Sequence, residues 1–259
     1  MENNVLKKTK FEKNGFYLAR GLFDKNQISV FEKEFDKIVN QMKKSGEYIN
    51  ARWGSELTKN NEKSDSEVLH THNVQSYSQK MLKMVQNKRL LDCVELFLGK
   101  DIVLHHTKLF LKSPLKGSAF PLHQDWSYFP TEKNTMIAAV IHISDSKKDM
   151  GCIRVVPGSH KLGKIRNSDG HSFIKKIHGK HSLDEAMEVR ASRGDVLFFH
   201  CCTVHGSKAN NSPLPRKTIV LQLYSGKDVV EKNKHTNVQL TLRGWNYHAT
   251  RNNIGNIKT

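Results

Sequence analysis

A chain of 259 residues with 37% apolar and 26% charged side chains has the size and polarity of one large globular domain or two small ones. No apolar run approaches the ~20 residues that span a bilayer, so a helical membrane protein is excluded and no membrane partner is expected. The net charge of +17 favours anionic partners, but the lysines are scattered and no block of like charge forms, so a nucleic-acid stripe is disfavoured. The opening MENNVLKKTK lacks the apolar core of a secretory signal. Four cysteines (Cys93, Cys152, Cys201, Cys202) form no C-x-x-C motif, which predicts free thiols in a reducing, cytoplasmic setting.

In chain order, FYLARGLF (Phe16 to Phe23) reads as a short strand entering a turn. Asp24 is a plausible N-cap for the helix that follows, with Ile28, Phe31, Phe35, Ile38, Val39 and Met42 on one face and Gly46 at its end. Residues 50–66 are polar and irregular and predict a loop. A second helix is predicted from about Ser76 to Phe97, with Met81, Met84, Val85, Leu90, Leu91 and Val94 inward and Gly99 as its stop. From Asp101 the texture changes to short runs rich in Val, Ile, Leu and Phe, separated by turn residues. IVLHHTKLFLK, MIAAVIHIS, GCIRVVPG, AMEVRASRG, DVLFFHCCTVHG and RKTIVLQLYSG predict a β-sandwich or barrel. The excursion from Lys161 to Leu183 reads mainly as a solvated basic face. The whole is predicted as a single domain over 1–259: helices to about 100, a β-core over 101–226 and a tail over 227–259.

Within the β-core, PLHQDWSYFP carries His123 and Asp125 two positions apart on what reads as a strand, which would place both on one face. Alone, such a pair is commonly an ordinary polar contact. His205, followed by Gly206 and Ser207, supplies a third donor, and in a sandwich two strands distant in sequence meet. Two imidazoles and one carboxylate form the facial triad of non-haem Fe(II) oxygenases, which leaves positions for a bidentate 2-oxo acid and for O2. Arg216, eleven residues after His205, has the planar fork that pairs with the far carboxylate of such a cosubstrate, and Ser207 offers a hydroxyl. The bland reading, a set of satisfied polar core groups, is outweighed by the order and spacing of these residues. His200 is a rival ligand, but HCCTVH matches no zinc spacing. Trp126, Tyr128 and Phe129 suit a pocket wall or core packing equally.

HQDWSYFP, GCIRVVPGSH and GDVLFFHCCTVHGS…NNSPLPRK together resemble the phytanoyl-CoA dioxygenase family, from FEKNGFYLARGLF to about Ser225. The resemblance implies a double-stranded β-helix (a jelly roll, cupin-like, mainly β with flanking helices) and an Fe(II)/2-oxoglutarate-dependent dioxygenase. It implies that His123, Asp125 and His205 hold iron, that Arg216 holds 2-oxoglutarate and that Ser207 supports it. Lys108, Ile141 and Asn73 fall near positions bordering the cosubstrate in the family, with Ile141 standing where some relatives carry a large aromatic. Halogenating relatives replace the carboxylate ligand by Ala or Gly, so Asp125 disfavours a halogenase. The implied reaction hydroxylates an aliphatic C–H of a small molecule. The net charge favours an anionic substrate, an acyl-CoA or another polar metabolite. A basic binding protein with a decayed oxygenase fold, or a dioxygenase acting on nucleic acid, are the competing readings.

Overall fold

The computed structural model describes residues 3–47, 49–51, 55–57, 65–231, 235–251 and 253. A first helix, α1 (Asn4–Asn14), is capped by the Asn3 side chain and buries only Phe11. With one inward residue it carries no apolar period, which is why the sequence pattern did not reveal it. Strand β1 (Phe16–Ala19) follows as predicted. Helix α2 (Lys25–Ser45) is held at its start by a reciprocal capping box between Asp24 and Gln27, and Gly46 ends it at φ 75°. All six predicted inward residues of α2 are buried.

Strand β2 (Leu69–His72) was not predicted. Most of the loop predicted over 50–66 lies outside the described residues. The predicted second helix is two helices, α3 (Gln79–Val85) and α4 (Lys88–Leu98). The break has a local cause: the Asn87 side chain accepts from the Leu90 amide at 3.2 Å and so caps a new helix.

The strands then run β3 (Ile102–Lys112), β4 (Phe120–His123), β5 (Ile137–His142), β6 (Ile153–Val155), β7 (Met187–Glu188), β8 (Val196–His200), β9 (His205–Ser207), β10 (Arg216–Ser225) and β11 (Leu240–Arg243). The last lies in the region read as a tail. All pairings are antiparallel. The larger sheet has the order β1-β8-β5-β10-β3-β11, with β2 also on β3, and the smaller has β4-β9-β6-β7. Val155 of the small sheet packs on Val140, Leu197 and Phe199 of the large one. The other face of the large sheet, including Ile137, Ala139, Ile141, Ile219 and Leu221, packs on the helices. Two facing antiparallel sheets with helices outside one of them make the jelly roll expected from the sequence. Among the described residues, no helix is long and apolar enough to cross a membrane.

Phe35, on α2, is fully buried in the core shared by helices and sheet. Phe35→Ala should cost about 3–5 kcal/mol, read as a lower denaturant midpoint at unchanged slope.

Candidate metal centre and its cavity

Strand β4 pairs with β9 so that His123 and His205 are direct Cα partners. Their rings lie 4.2 Å apart between centroids. β4 ends at His123, and Asp125 opens a 3-10 turn (Asp125–Ser127) instead of continuing the strand. The predicted same-face strand pair is therefore a strand residue and a turn residue, and the turn swings the carboxylate back toward both rings. Asp125 Oδ1 lies 3.6 Å from Nε2 of His123 and 3.6 Å from Nε2 of His205. All three side chains are buried, and one donor atom from each lies within 4.8 Å of the others.

The hydrogen bonds set which ring atom is available. His123 Nδ1 bonds the Pro121 carbonyl at 2.8 Å, and His205 Nδ1 bonds the Thr203 carbonyl at 2.9 Å. A carbonyl only accepts, so each Nδ1 carries a proton and each ring turns its Nε2 inward toward Asp125. Gln222 Nε2 donates to Asp125 Oδ2 at 2.7 Å, which leaves Oδ1 facing the imidazoles. Burial pushes the Asp125 carboxyl up, but His205, His123 and Gln222 outweigh it and hold it well below the usual carboxylate range. Burial and the neighbouring His123 push His205 down to about 4. A carboxylate and two imidazoles, converging and oriented by outer hydrogen bonds, suit a divalent transition metal with open coordination positions.

These groups line a cavity of about 230 Å³ together with Lys108, Ser207, Arg216, Thr218 and apolar walls from Val140, Ile153, Phe199 and Val220. Arg216 is 3% exposed; one terminal nitrogen donates to the Gly151 carbonyl, and its Nε has no partner among the described residues. Burial pushes the guanidinium down to about 10. A buried cation with an unmet donor, facing a cavity, is costly unless an anion completes it. Ser207 accepts from the fully buried Lys112 at 2.7 Å, and Lys112 also donates to the Lys208 carbonyl at 2.7 Å.

Lys108 lines the cavity, its Nζ 4.7 Å over the Phe129 ring. Ile141 does not: it belongs to the helix-side core, and its neighbour Val140 faces the cavity, because successive strand residues alternate faces. Asn73 is also not among the lining residues; it sits in the left-handed conformation (φ 53°) at the start of a 3-10 turn. Tyr128 and Phe129 line the cavity, whereas Trp126 packs beside it. His200 ends β8, on the other sheet from His205, and its Nδ1 accepts from the Cys202 amide at 3.1 Å. That nitrogen is thus already engaged, although the Cys201 and Cys202 thiols lie near it.

Gln222 and Lys112 were not singled out from the sequence. The signal was present: Arg216, Thr218 and Gln222 recur at even spacing through an apolar strand, as do His106, Lys108 and Lys112 on β3. Those two sets face each other, since Lys112 pairs with Arg216 and His106 with Gln222.

The family model for phytanoyl-CoA dioxygenase matches residues 11–218. The chain belongs to the phytanoyl-CoA dioxygenase family. Human peroxisomal phytanoyl-CoA dioxygenase is 31% identical over 239 residues, covering 85% of this chain and 68% of that protein. A probable alpha-ketoglutarate-dependent hypophosphite dioxygenase from Stutzerimonas stutzeri is 29% identical over 147 residues, covering 53% of this chain and 50% of that one. Among solved structures, the non-haem alpha-ketoglutarate-dependent epimerase SnoN superposes with a TM-score of 0.73 at 18% identity, covering 90% of this chain and 87% of that one, and so shares the fold. The fold and the enzyme class expected from the sequence, a 2-oxoglutarate-dependent dioxygenase, both stand.

Two outcomes test the outer contacts. Gln222→Leu leaves Asp125 Oδ2 buried without its donor and should weaken divalent-metal binding about 10–100-fold, measured by Co(II) titration. Gly151 holds φ 64°, where an added Cβ would strike the Lys208 and Ala209 carbonyls. Gly151→Ala should lower the thermal midpoint, with a loss of about 2–4 kcal/mol, and should displace the carbonyl that Arg216 uses.

Proposed function

We propose that the protein hydroxylates an aliphatic C–H of a small, anionic molecule, with His123, Asp125 and His205 as the iron ligands and Arg216 as the anchor of 2-oxoglutarate. The observation that carries this reading is the convergence of two inward-turned Nε2 atoms and one carboxylate oxygen in a cavity that also holds a buried, incompletely bonded arginine. The donor set fits Fe(II) with room for a bidentate 2-oxo acid and O2. When bound, the iron with 2-oxoglutarate and O2 supplies the oxidising power, 2-oxoglutarate leaving as succinate and carbon dioxide.

The chain's own residues do the rest. The Pro121 and Thr203 carbonyls each hold a ring by its Nδ1, so Nε2 is the atom that both rings turn to the metal. Gln222 keeps Asp125 ionised and oriented. Arg216 offers its planar fork to the far carboxylate, with the Ser207 hydroxyl beside it in the lining. Val140, Ile153, Phe199 and Val220 keep the reacting volume apolar and limit water. An anionic substrate is favoured because Asp125 is the sole carboxylate among the described lining residues, against Arg216 and Lys108. Two relatives are named for anionic substrates, phytanoyl-CoA and hypophosphite. A binding protein with a decayed fold would be expected to have lost part of the donor set, and here the three donors and Arg216 are intact.

The test is anaerobic addition of Fe(II) and then 2-oxoglutarate while the visible spectrum is recorded. The wild type should develop a metal-to-ligand charge-transfer band, and His205→Ala should show none. Arg216→Ala should need about 10–100-fold more 2-oxoglutarate, the worth of a charge-assisted bidentate contact. A well-folded wild type without the band would overturn the assignment.

A further inference from the structure

The cavity has a second basic end that the triad and Arg216 do not use. Lys108 sits on β3 two residues from His106, on the same face, and its cross-strand partner on β2 is His72. The His72 ring stacks on His106 (5.5 Å between centroids, 15° between planes) and on His235 (6.4 Å, 5°). Phe129 closes the group, with His106 at 4.6 Å, His235 at 4.8 Å and the Lys108 ammonium at 4.7 Å over its face. Three chain segments, β2, β3 and the stretch at His235, thus bring one ammonium and three imidazoles together; Lys108, Phe129 and His235 line the cavity, with His72 and His106 packed against His235 and Phe129.

Two features show that the cluster is built for more than packing. First, a register shift at Gln222/Leu223 leaves His105 outside the ladder, so His105 and His106 turn to the same side and their Nδ1 atoms meet at 2.6 Å. One ring donates there and the other accepts. The acceptor must then carry its proton on Nε2, so the pair presents at least one N–H. Both Nε2 atoms are without a partner among the described residues, on side chains 0% and 1% exposed. Fully buried unmet polar atoms are rare and costly unless a ligand completes them. Second, the charge is unbalanced. Burial pushes the Lys108 ammonium down to about 8, and among the described residues Asp125 is the charge that favours it. Asp125 is itself committed to the two histidines and Gln222.

We propose that Lys108, with His72, His106 and His235, forms an anion-binding site distinct from Arg216, and that it takes a phosphate-type oxyanion carried by the primary substrate. The ammonium has three donors and each neutral imidazole one, arriving from different elements. A tetrahedral group presents oxygens in several directions and meets such an arrangement better than a planar carboxylate. Neutral imidazoles also solve the problem of the empty site, because they donate hydrogen bonds without adding buried charge beside Lys108. The site rests on the proposed function for its role, since a substrate anchored there would reach toward the triad in the same cavity.

The test is calorimetric titration of inorganic phosphate, propyl phosphate and acetate, at matched ionic strength, into protein holding Fe(II) and 2-oxoglutarate without O2. The wild type should bind one phosphate or propyl phosphate saturably and acetate about ten-fold more weakly or worse. Lys108→Met should weaken phosphate about ten-fold or more, and Lys108→Arg should restore most of it. His106→Phe, which keeps an aromatic ring in the stack but removes both ring nitrogens, should weaken phosphate as well. Binding of inorganic phosphate but not propyl phosphate would overturn a substrate-borne group. Equal binding of acetate would overturn the tetrahedral assignment. Unchanged phosphate binding in Lys108→Met and His106→Phe, as when phosphate sits on the metal alone, would overturn the site. The charge-transfer band in the same samples separates the two proposals. A band without Lys108-dependent phosphate binding leaves the oxygenase reading intact, and Lys108-dependent binding without a band sinks only that reading.

Discussion

The antiparallel pairing of β4 with β9 is the contact on which the site depends. It sets two imidazoles inside the sandwich with their centroids 4.2 Å apart and their planes tilted by 51°. Both rings are held by the same device: Nδ1 donates to the carbonyl two residues earlier, Pro121 in one case and Thr203 in the other. The bond is short-range, so each ring is oriented by its own strand. The pairing then only has to bring the two strands into register. Asp125 completes the set because the chain leaves the strand immediately after His123 and turns.

The large sheet supplies the opposite wall. Its β3 and β10 run side by side, with His106, Lys108, Phe110 and Lys112 matched to Gln222, Val220, Thr218 and Arg216. One end of this double row orients the Asp125 carboxylate through Gln222, and the other carries Arg216. Lys112 spans the sandwich there, bonding Ser207 and the Lys208 carbonyl, and so ties β9 to β3 at the Arg216 end. A buried lysine is expensive, and here its cost is offset by two oxygen acceptors and the Phe120 ring 5.0 Å below its ammonium.

Gln124, between the two candidate ligands, performs a third task. It is fully buried, donates to the Gly163 and Cys202 carbonyls, and accepts from the Ile165 amide and the Ser168 hydroxyl. It thereby latches the long excursion over 161–183 to the turn after β8. That excursion was read as mainly a solvated basic face; its lysines are largely exposed, but Ile165 and Ile177 are buried with Leu122, Ala186 and Val204. The segment is therefore packed as well as solvated, and its packing reaches the strand that carries His123.

Much of this was legible in the chain itself. The period of α2, the capping residue Asp24, the order of apolar strands after Asp101 and the H-x-D…H…R spacing are local or one-dimensional signals, set by backbone geometry and side-chain chemistry, and they led to the fold, the enzyme class and the three donors. What remained hidden depends on contacts between distant segments. The break at Asn87 needed a side-chain hydrogen bond to be seen, and the turn at Asp125 needed the partner rings. Ile141 and Val140 could be told apart only when the faces of β5 were assigned. The two-histidine bulge and the ring stack of His72, His106 and His235 arise from register and from a segment about 130 residues further along the chain. Sequence decides which groups exist and how each strand alternates; only the tertiary structure decides which buried charge meets which, because those distances are set by strand register across the sheets.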